Sequence, residues 1–143
     1  MTQQSPKLSP DAAALFETRS IGELGDKMGI ELLELSAEKA VATMPVEGNR
    51  QPLGLLHGGA YVVLAESLGS MAANVWGVHL NKFAVGIEVS ASHCGSARAG
   101  VVKATCEAIS LGNTLTVHQI VVEDVEGKRL STIRITNLLR EPR

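Results

Sequence analysis

His57-Gly58-Gly59-Ala60-Tyr61-Val62-Val63-Leu64-Ala65-Glu66-Ser67-Leu68-Gly69-Ser70-Met71-Ala72-Ala73-Asn74-Val75-Trp76 is the stretch on which the fold turns. It is long, rich in Ala and Leu and free of proline, so residues 58–76 read as a helix. Apolar residues cover nearly its whole circumference, which predicts burial in the middle of the molecule. After Gly77 the texture changes. Residues 83–93, 100–110, 114–124 and 129–139 are rich in Val, Ile and Thr, with Gly95, Gly100, Gly112-Asn113 and Glu126-Gly127 as punctuation. This is the pattern of an antiparallel meander. Upstream, residues 28–36 and 39–46 read as two strands joined over Ser36-Ala37-Glu38. In the second, Ala40, Ala42, Met44 and Val46 share one face, and Val41, Thr43 and Pro45 the other. Ser9-Pro10-Asp11 has a capping serine, a proline suited to the first helical position and an acid at the positive end, so residues 10–19 should form a short helix. One buried helix with several long strands argues an α+β fold in which a sheet wraps a central helix.

The bulk numbers narrow the function classes. A chain of 143 residues with no repeat and no linker reads as one domain, 1–143, in which 1–22 is an N-terminal extension carrying the short helix. A net charge of −2 gives no basic coat for nucleic acid or anionic membrane. Four aromatic residues are too few for a single-strand stacking platform. Residues 1–10 carry no apolar core of a signal peptide. The longest nearly apolar run, 60–78, is interrupted by Glu66, Ser67, Ser70 and Asn74, which argues against a membrane span. Cys94 and Cys106 read as free thiols rather than a disulfide framework. The expected setting is the cytoplasm.

Three features carry chemistry. His57-Gly58-Gly59 opens the helix, where the first backbone N–H groups lack internal partners and the dipole is positive. Glycine lets a ligand approach that backbone, so the terminus can bind a carbonyl oxygen and the oxyanion that develops on it. A plainer reading, a turn shaped by glycines and capped by His57, fits the same spacing equally well. Glu66 is a lone carboxylate in an apolar helix. Burial would make it structural through pairing, or would raise its pKa and suit it to proton transfer. Ser70, one turn later on the same face, is placed to orient a water or the carboxylate, whereas Asn74 reads as packing or surface.

The third feature is geometric. His57 and Glu66 stand nine positions apart, roughly 13 Å along one helix axis and on roughly opposite sides of it. They cannot both reach one carbonyl from the same helix. If both are catalytic, a second copy of the helix must run antiparallel beside the first, as in a two-fold dimer.

On these residues the sequence resembles the hotdog-fold acyl-CoA thioesterases of the 4-hydroxybenzoyl-CoA type that use a catalytic glutamate. It is also similar to the thioesterases of menaquinone synthesis and of aryl-carrier proofreading in siderophore synthesis. The resemblance spans residues 24–139. It is densest in Gly54-Leu55-Leu56-His57-Gly58-Gly59, in Leu64-Ala65-Glu66-Ser67, in Glu88-Val89-Ser90-Ala91-Ser92-His93 and at the Leu111-Gly112 turn. It implies a long central helix wrapped by a five- or six-stranded antiparallel sheet, in a homodimer that completes each active site and pairs again into a homotetramer. It implies Glu66 as nucleophile or general base, the Gly58 N–H as the group polarising the thioester carbonyl, Gln51 and His57 near the carbonyl and the departing thiolate, and Ser70 as the hydroxyl that positions water. For substrate and CoA binding it points to Gly59, Ser92, His93, Ser96, Arg98 and Gly112. Arg98 is suited to a phosphate, but Asn113 stands where some relatives carry a second basic residue.

The resulting expectation is hydrolysis of an aryl- or other acyl-CoA, or of an acyl group on a carrier protein, since both carry the same pantetheine arm. No metal and no cofactor is expected: His79 and His118 show no ligand spacing and read as a loop and a strand residue. The serines form no Gly-x-Ser-x-Gly elbow. Two other classes stay in view. A hotdog hydratase or dehydratase would dehydrate a 3-hydroxyacyl-CoA in preference to hydrolysing it. A non-catalytic acyl-CoA-binding protein would bind without turnover.

Overall fold

Helix α3 (Gly58–Val78) crosses a seven-stranded sheet, and the other elements are placed by that packing. The structure is a computed structural model describing residues 4–143, so the first three residues of the N-terminal extension lie outside the described residues. Chain order is β1 (Lys7–Leu8), α1 (Pro10–Thr18), α2 (Glu23–Met28), β2 (Glu31–Leu35), β3 (Lys39–Pro45), α3, β4 (Phe83–His93), β5 (Val101–Leu111), β6 (Leu115–Glu123) and β7 (Arg129–Arg140). Spatial order is β1-β2-β3-β5-β6-β7-β4. Every pairing is antiparallel except that of β1 with β2. This is the α+β hotdog arrangement, one strand wider than the sequence implies because the two-residue β1 adds an edge.

The packing follows from two periodicities. On α3, Tyr61, Leu64, Ala65, Leu68, Ala72 and Val75 recur every three or four residues and are buried. On the sheet, alternate residues point inward: Ala40, Ala42 and Met44 of β3, Val102, Ala104 and Cys106 of β5, Ile120 and Val122 of β6, Ile133 and Ile135 of β7. The expected two-faced division of β3 holds. At the centre sits Gly69, where a Cβ would stand 2.3 Å from Ile135 Cγ2, so the glycine sets how closely α3 approaches β7.

Two local expectations change. The strand read at 28–36 begins only at Glu31, because Met28 ends α2 and Gly29 closes it in the left-handed region at φ +75°. Nor is α3 buried all round. The sheet covers one side, leaving Val62, Val63, Ser67, Ser70 and Asn74 half-buried and Glu66 exposed.

Buried polar residues mark special contacts. His118 donates Nε2–H to the Ala37 carbonyl at 2.8 Å and so ties the β2–β3 turn to β6. Its Nδ1 has no partner among the described residues, and burial lowers its pKa. Of the two cysteines, Cys94 is exposed and Cys106 buried, both unpaired. Burial pushes the Cys106 thiol up to about 12, so it behaves as a small core hydrophobe. No helix among the described residues is long and apolar enough to cross a membrane.

Candidate active site

The N-terminus of α3 is built by the loop before it. Asn49 Nδ2 donates to the carbonyls of Met28 and Pro45, both at 2.8 Å, and its own carbonyl takes the His57 N–H at 2.9 Å. His57 is the cap: Nδ1 accepts from Gly59 N–H at 2.8 Å. Both readings of this run therefore share one geometry. With Nδ1 accepting, the neutral ring carries its proton on Nε2, so the exposed edge of His57 is a donor. The same bond occupies the Gly59 amide, which is therefore not a free donor. The Gly58 N–H meets no acceptor among the described residues and remains open at the positive end of the helix.

His93 closes one side of that terminus. A Cβ at Gly58 would stand 3.1 Å from His93 Nε2, which explains the glycine. His93 Nδ1 lies 2.8 Å from Ser131 Oγ, and that hydroxyl gives its proton to the Ser92 carbonyl at 3.3 Å. With the Ser131 proton on the Ser92 carbonyl, Ser131 accepts from Nδ1–H, and Nε2 of the neutral ring is then a lone-pair acceptor beside Gly58. In that arrangement His57 and His93 present opposite tautomers at one helix end. Tyr61 stacks obliquely on His93, with ring centroids 5.0 Å apart. The Tyr61 hydroxyl is buried without a partner among the described residues, and burial raises its pKa, with Cys94 adding to the effect.

Glu66 lies two turns along α3. Its carboxylate fills the space that the missing Gly86 side chain leaves on β4: Oε1 is 3.2 Å from where a Gly86 Cβ would be, and Asn137 Oδ1 of β7 is 3.8 Å from the same point. Ser70, one turn on, donates its hydroxyl to Asn137 Oδ1 at 3.3 Å. Asn74 bonds Ser70 O and both backbone groups of Ala84, the packing role expected of it. The expected burial of Glu66 is not met within one chain, because it lies on the side of α3 away from the sheet centre.

Within one chain the expected residues divide into groups. Glu66 and Ser70 share one face. His57, Gly58 and His93 gather at the helix start. Gln51 sits in the preceding loop, half-buried, where its side-chain oxygen accepts from Leu53 N–H and its amide NH₂ is left to donate. Ser92 and His93 point to opposite faces of β4, since they pair with half-buried Thr132 and buried Ser131. Ser96 and Arg98 are exposed in the following loop. Gly112 is not with them. Its carbonyl accepts from Trp76 Nε1 at 2.8 Å at the far end of α3, roughly 27 Å of helix away from Gly58.

Sequence reasoning missed Arg50, whose Nε donates to the Arg98 carbonyl at 3.0 Å and so sets a second guanidinium beside that loop. It also missed Asn137 and Ser131. Asn137 had a signal: strand alternation puts it on the face of Ile133, Ile135 and Leu139, where a polar residue is out of place.

Residues 53–131 match the thioesterase superfamily. The chain is 41% identical over 118 residues to the proofreading thioesterase EntH of Cronobacter turicensis, covering 82% of this chain and 85% of that one. It is 39% identical over 119 residues to the 1,4-dihydroxy-2-naphthoyl-CoA hydrolase of Escherichia coli, covering 82% and 87%. A crystal structure of a thioesterase from Haemophilus influenzae superposes with a TM-score of 0.81 at 33% identity, covering 91% of this chain and 90% of that one.

Proposed function

The chain belongs to the thioesterase superfamily, and on that premise we propose that it hydrolyses an acyl-CoA thioester to the free acid and CoA, with Glu66 as the reacting carboxylate. One observation carries the assignment. Glu66 Oε1 lies beside Gly86 at the β4 edge with the Ser70 hydroxyl one turn away, on a helix whose first amide is also open. The Gly58 N–H polarises the carbonyl and holds the oxyanion. The Nε2–H of His57 and the side-chain NH₂ of Gln51 serve the carbonyl and the leaving thiolate. A thiolate leaves without strong acid assistance, so one carboxylate and one oxyanion site suffice.

The two halves of this machinery come from two chains. β4 has no strand on its outer side among the described residues, and its 11 residues are exposed over most of their length. Two such edges pair as a continuous sheet and bring a second α3 antiparallel to the first. Glu66 of one protomer then faces Gly58 of its partner. A homodimer is the unit of the proposal, and its pairing into a tetramer is the extended form. Ser96, Arg98 and the neighbouring Arg50 meet the nucleotide phosphates of CoA, and Gly112 joins them only across the two-fold. His93, beside Gly58, belongs with the carbonyl end rather than the nucleotide.

An aryl group is the favoured acyl class, on CoA or on a carrier protein. The two unpaired cysteines suit a reducing cytoplasm. The deciding assay measures thiol release from benzoyl-, hydroxybenzoyl-, short-chain and medium-chain CoA by wild type and Glu66→Gln. Turnover by wild type with a loss of about 10²-fold or more in the variant is the expected result. An inactive wild type, or a variant as fast as wild type, would overturn it, and preferential dehydration of a 3-hydroxyacyl-CoA would reassign the site.

A further inference from the structure

Asn137 is a buried amide on the inner face of β7, flanked along its strand by Ile135 and Leu139. Thr116, its neighbour on β6, is equally buried and its hydroxyl has no partner among the described residues. Polar side chains buried in an apolar layer cost stability unless well bonded. The two hydrogen bonds of Asn137 are long, 3.3 Å from Ser70 Oγ and 3.5 Å to the Gly69 carbonyl. A leucine would fill this place with less cost. What the amide supplies is direction.

The Gly69 carbonyl can only accept, so the NH₂ of Asn137 must face it and Oδ1 must face Ser70. Oδ1 can only accept, so the Ser70 hydroxyl proton is committed to it. Ser70 Oγ then presents lone pairs, and no proton, to the space it shares with the Glu66 carboxylate. Gly69 makes this possible by letting α3 approach β7, and Gly86 leaves a space that Glu66 Oε1 and Asn137 Oδ1 both border.

Resting on the thioesterase reading above, we propose that Asn137 is a positioning residue that fixes Ser70 as an acceptor, so that Ser70 and Glu66 together take the two hydrogens of the hydrolytic water. A water held by two acceptors keeps a lone pair free for the thioester carbon. In this arrangement Glu66 acts on water. The carboxylate removes one proton as the water oxygen bonds to the carbonyl carbon. The tetrahedral oxyanion collapses, the C–S bond breaks, and the proton passes from Glu66 to the departing thiolate. Without Asn137 the Ser70 proton is free to turn toward Glu66 or the water, which misorients the nucleophile while leaving substrate contacts intact.

The test is a double-mutant cycle on the best CoA substrate of the panel, with wild type, Ser70→Ala, Asn137→Leu and Ser70→Ala/Asn137→Leu. Thermal unfolding checks each fold, and Asn137→Ala stands in should the leucine prove too bulky. The expected result is a kcat about 10- to 100-fold lower for the Asn137 variant at unchanged KM, with the double variant no slower than Ser70→Ala alone. Losses that multiply, a KM effect without a kcat effect, or wild-type kcat in a folded Asn137 variant would each overturn the proposal while the thioesterase reading stands. A wild type without hydrolysis on any thioester removes that reading and this inference with it.

Discussion

The ring Nε2 of His93 lies 3.1 Å from the point at which a Gly58 side chain would begin. His93 cannot simply swing aside, because Nδ1 is held by Ser131 and Ser131 by the Ser92 carbonyl. A methyl group at position 58 therefore crowds the open amide at the helix start. Gly58→Ala should fold normally, since alanine suits a helix better than glycine does. Its kcat/KM should fall by about 10²-fold, the usual scale for losing one oxyanion donor. Steady-state kinetics beside a melting curve check this, and near-normal kcat/KM would remove Gly58 from the carbonyl site.

Two other glycines on opposite sides of this machinery should fail in different ways. At Gly86 a Cβ meets the tip of the Glu66 side chain at 3.2 Å, which is flexible and gives way. Gly86→Ala should keep its melting temperature and lose about tenfold or more in kcat, because the Glu66 carboxylate, the proposed reacting group, moves. At Gly69 a Cβ meets Ile135 Cγ2 at 2.3 Å inside the core. Gly69→Ala should cost about 1–3 kcal/mol through overpacking and lower the melting temperature by several degrees. Calorimetry and kinetics on the two proteins separate these outcomes, and equal behaviour would contradict both assignments.

His118 gives the stability a pH dependence with a definite sign. Burial pushes its pKa below the ordinary value, and the opposing pulls of the Ala37 carbonyl and Glu38 do not cancel this. Above about pH 6.5 the ring is neutral in both folded and unfolded chains. As pH falls through that value the unfolded chain takes up the proton first, so stability is lost until the folded pKa is passed. His118→Gln keeps an N–H for the Ala37 carbonyl and cannot titrate. Melting temperatures from pH 8 to 5 should fall more steeply in wild type than in this variant. Parallel curves would show that His118 does not titrate in that window.

The architecture was legible because each element wrote its own period. The run from Gly58 is helical in composition, and β4 to β7 are rich in Val, Ile and Thr between glycine-marked turns. What escaped was decided by tertiary contact. α2 is six residues, too short to announce itself against the strand pattern that follows. Glu66 looked buried because composition reports how apolar a helix is and not which side the sheet covers. Gly112 grouped with His93 by resemblance, and only the Trp76 hydrogen bond shows that the length of α3 divides them within a chain. Asn137 was visible as a polar break in an inward-facing row, yet its meaning depends on Ser70, 67 positions away.

Whether the two halves of the site belong to different chains is testable by mixing two defective proteins. Glu66→Gln lacks the carboxylate and Gly58→Ala the carbonyl site. In a mixed dimer with composite sites, one site carries both defects and the other carries neither, because its Glu66 comes from one protomer and its Gly58 from the partner. Random exchange at equal amounts makes half the dimers mixed, each with one intact site of two, so activity should recover to about a quarter of the wild-type value. Sites confined to one chain would leave every site in the mixture carrying one defect, and activity would stay at the average of the two parents. Thiol release before and after subunit exchange, with dimer formation followed by sedimentation, distinguishes the two arrangements.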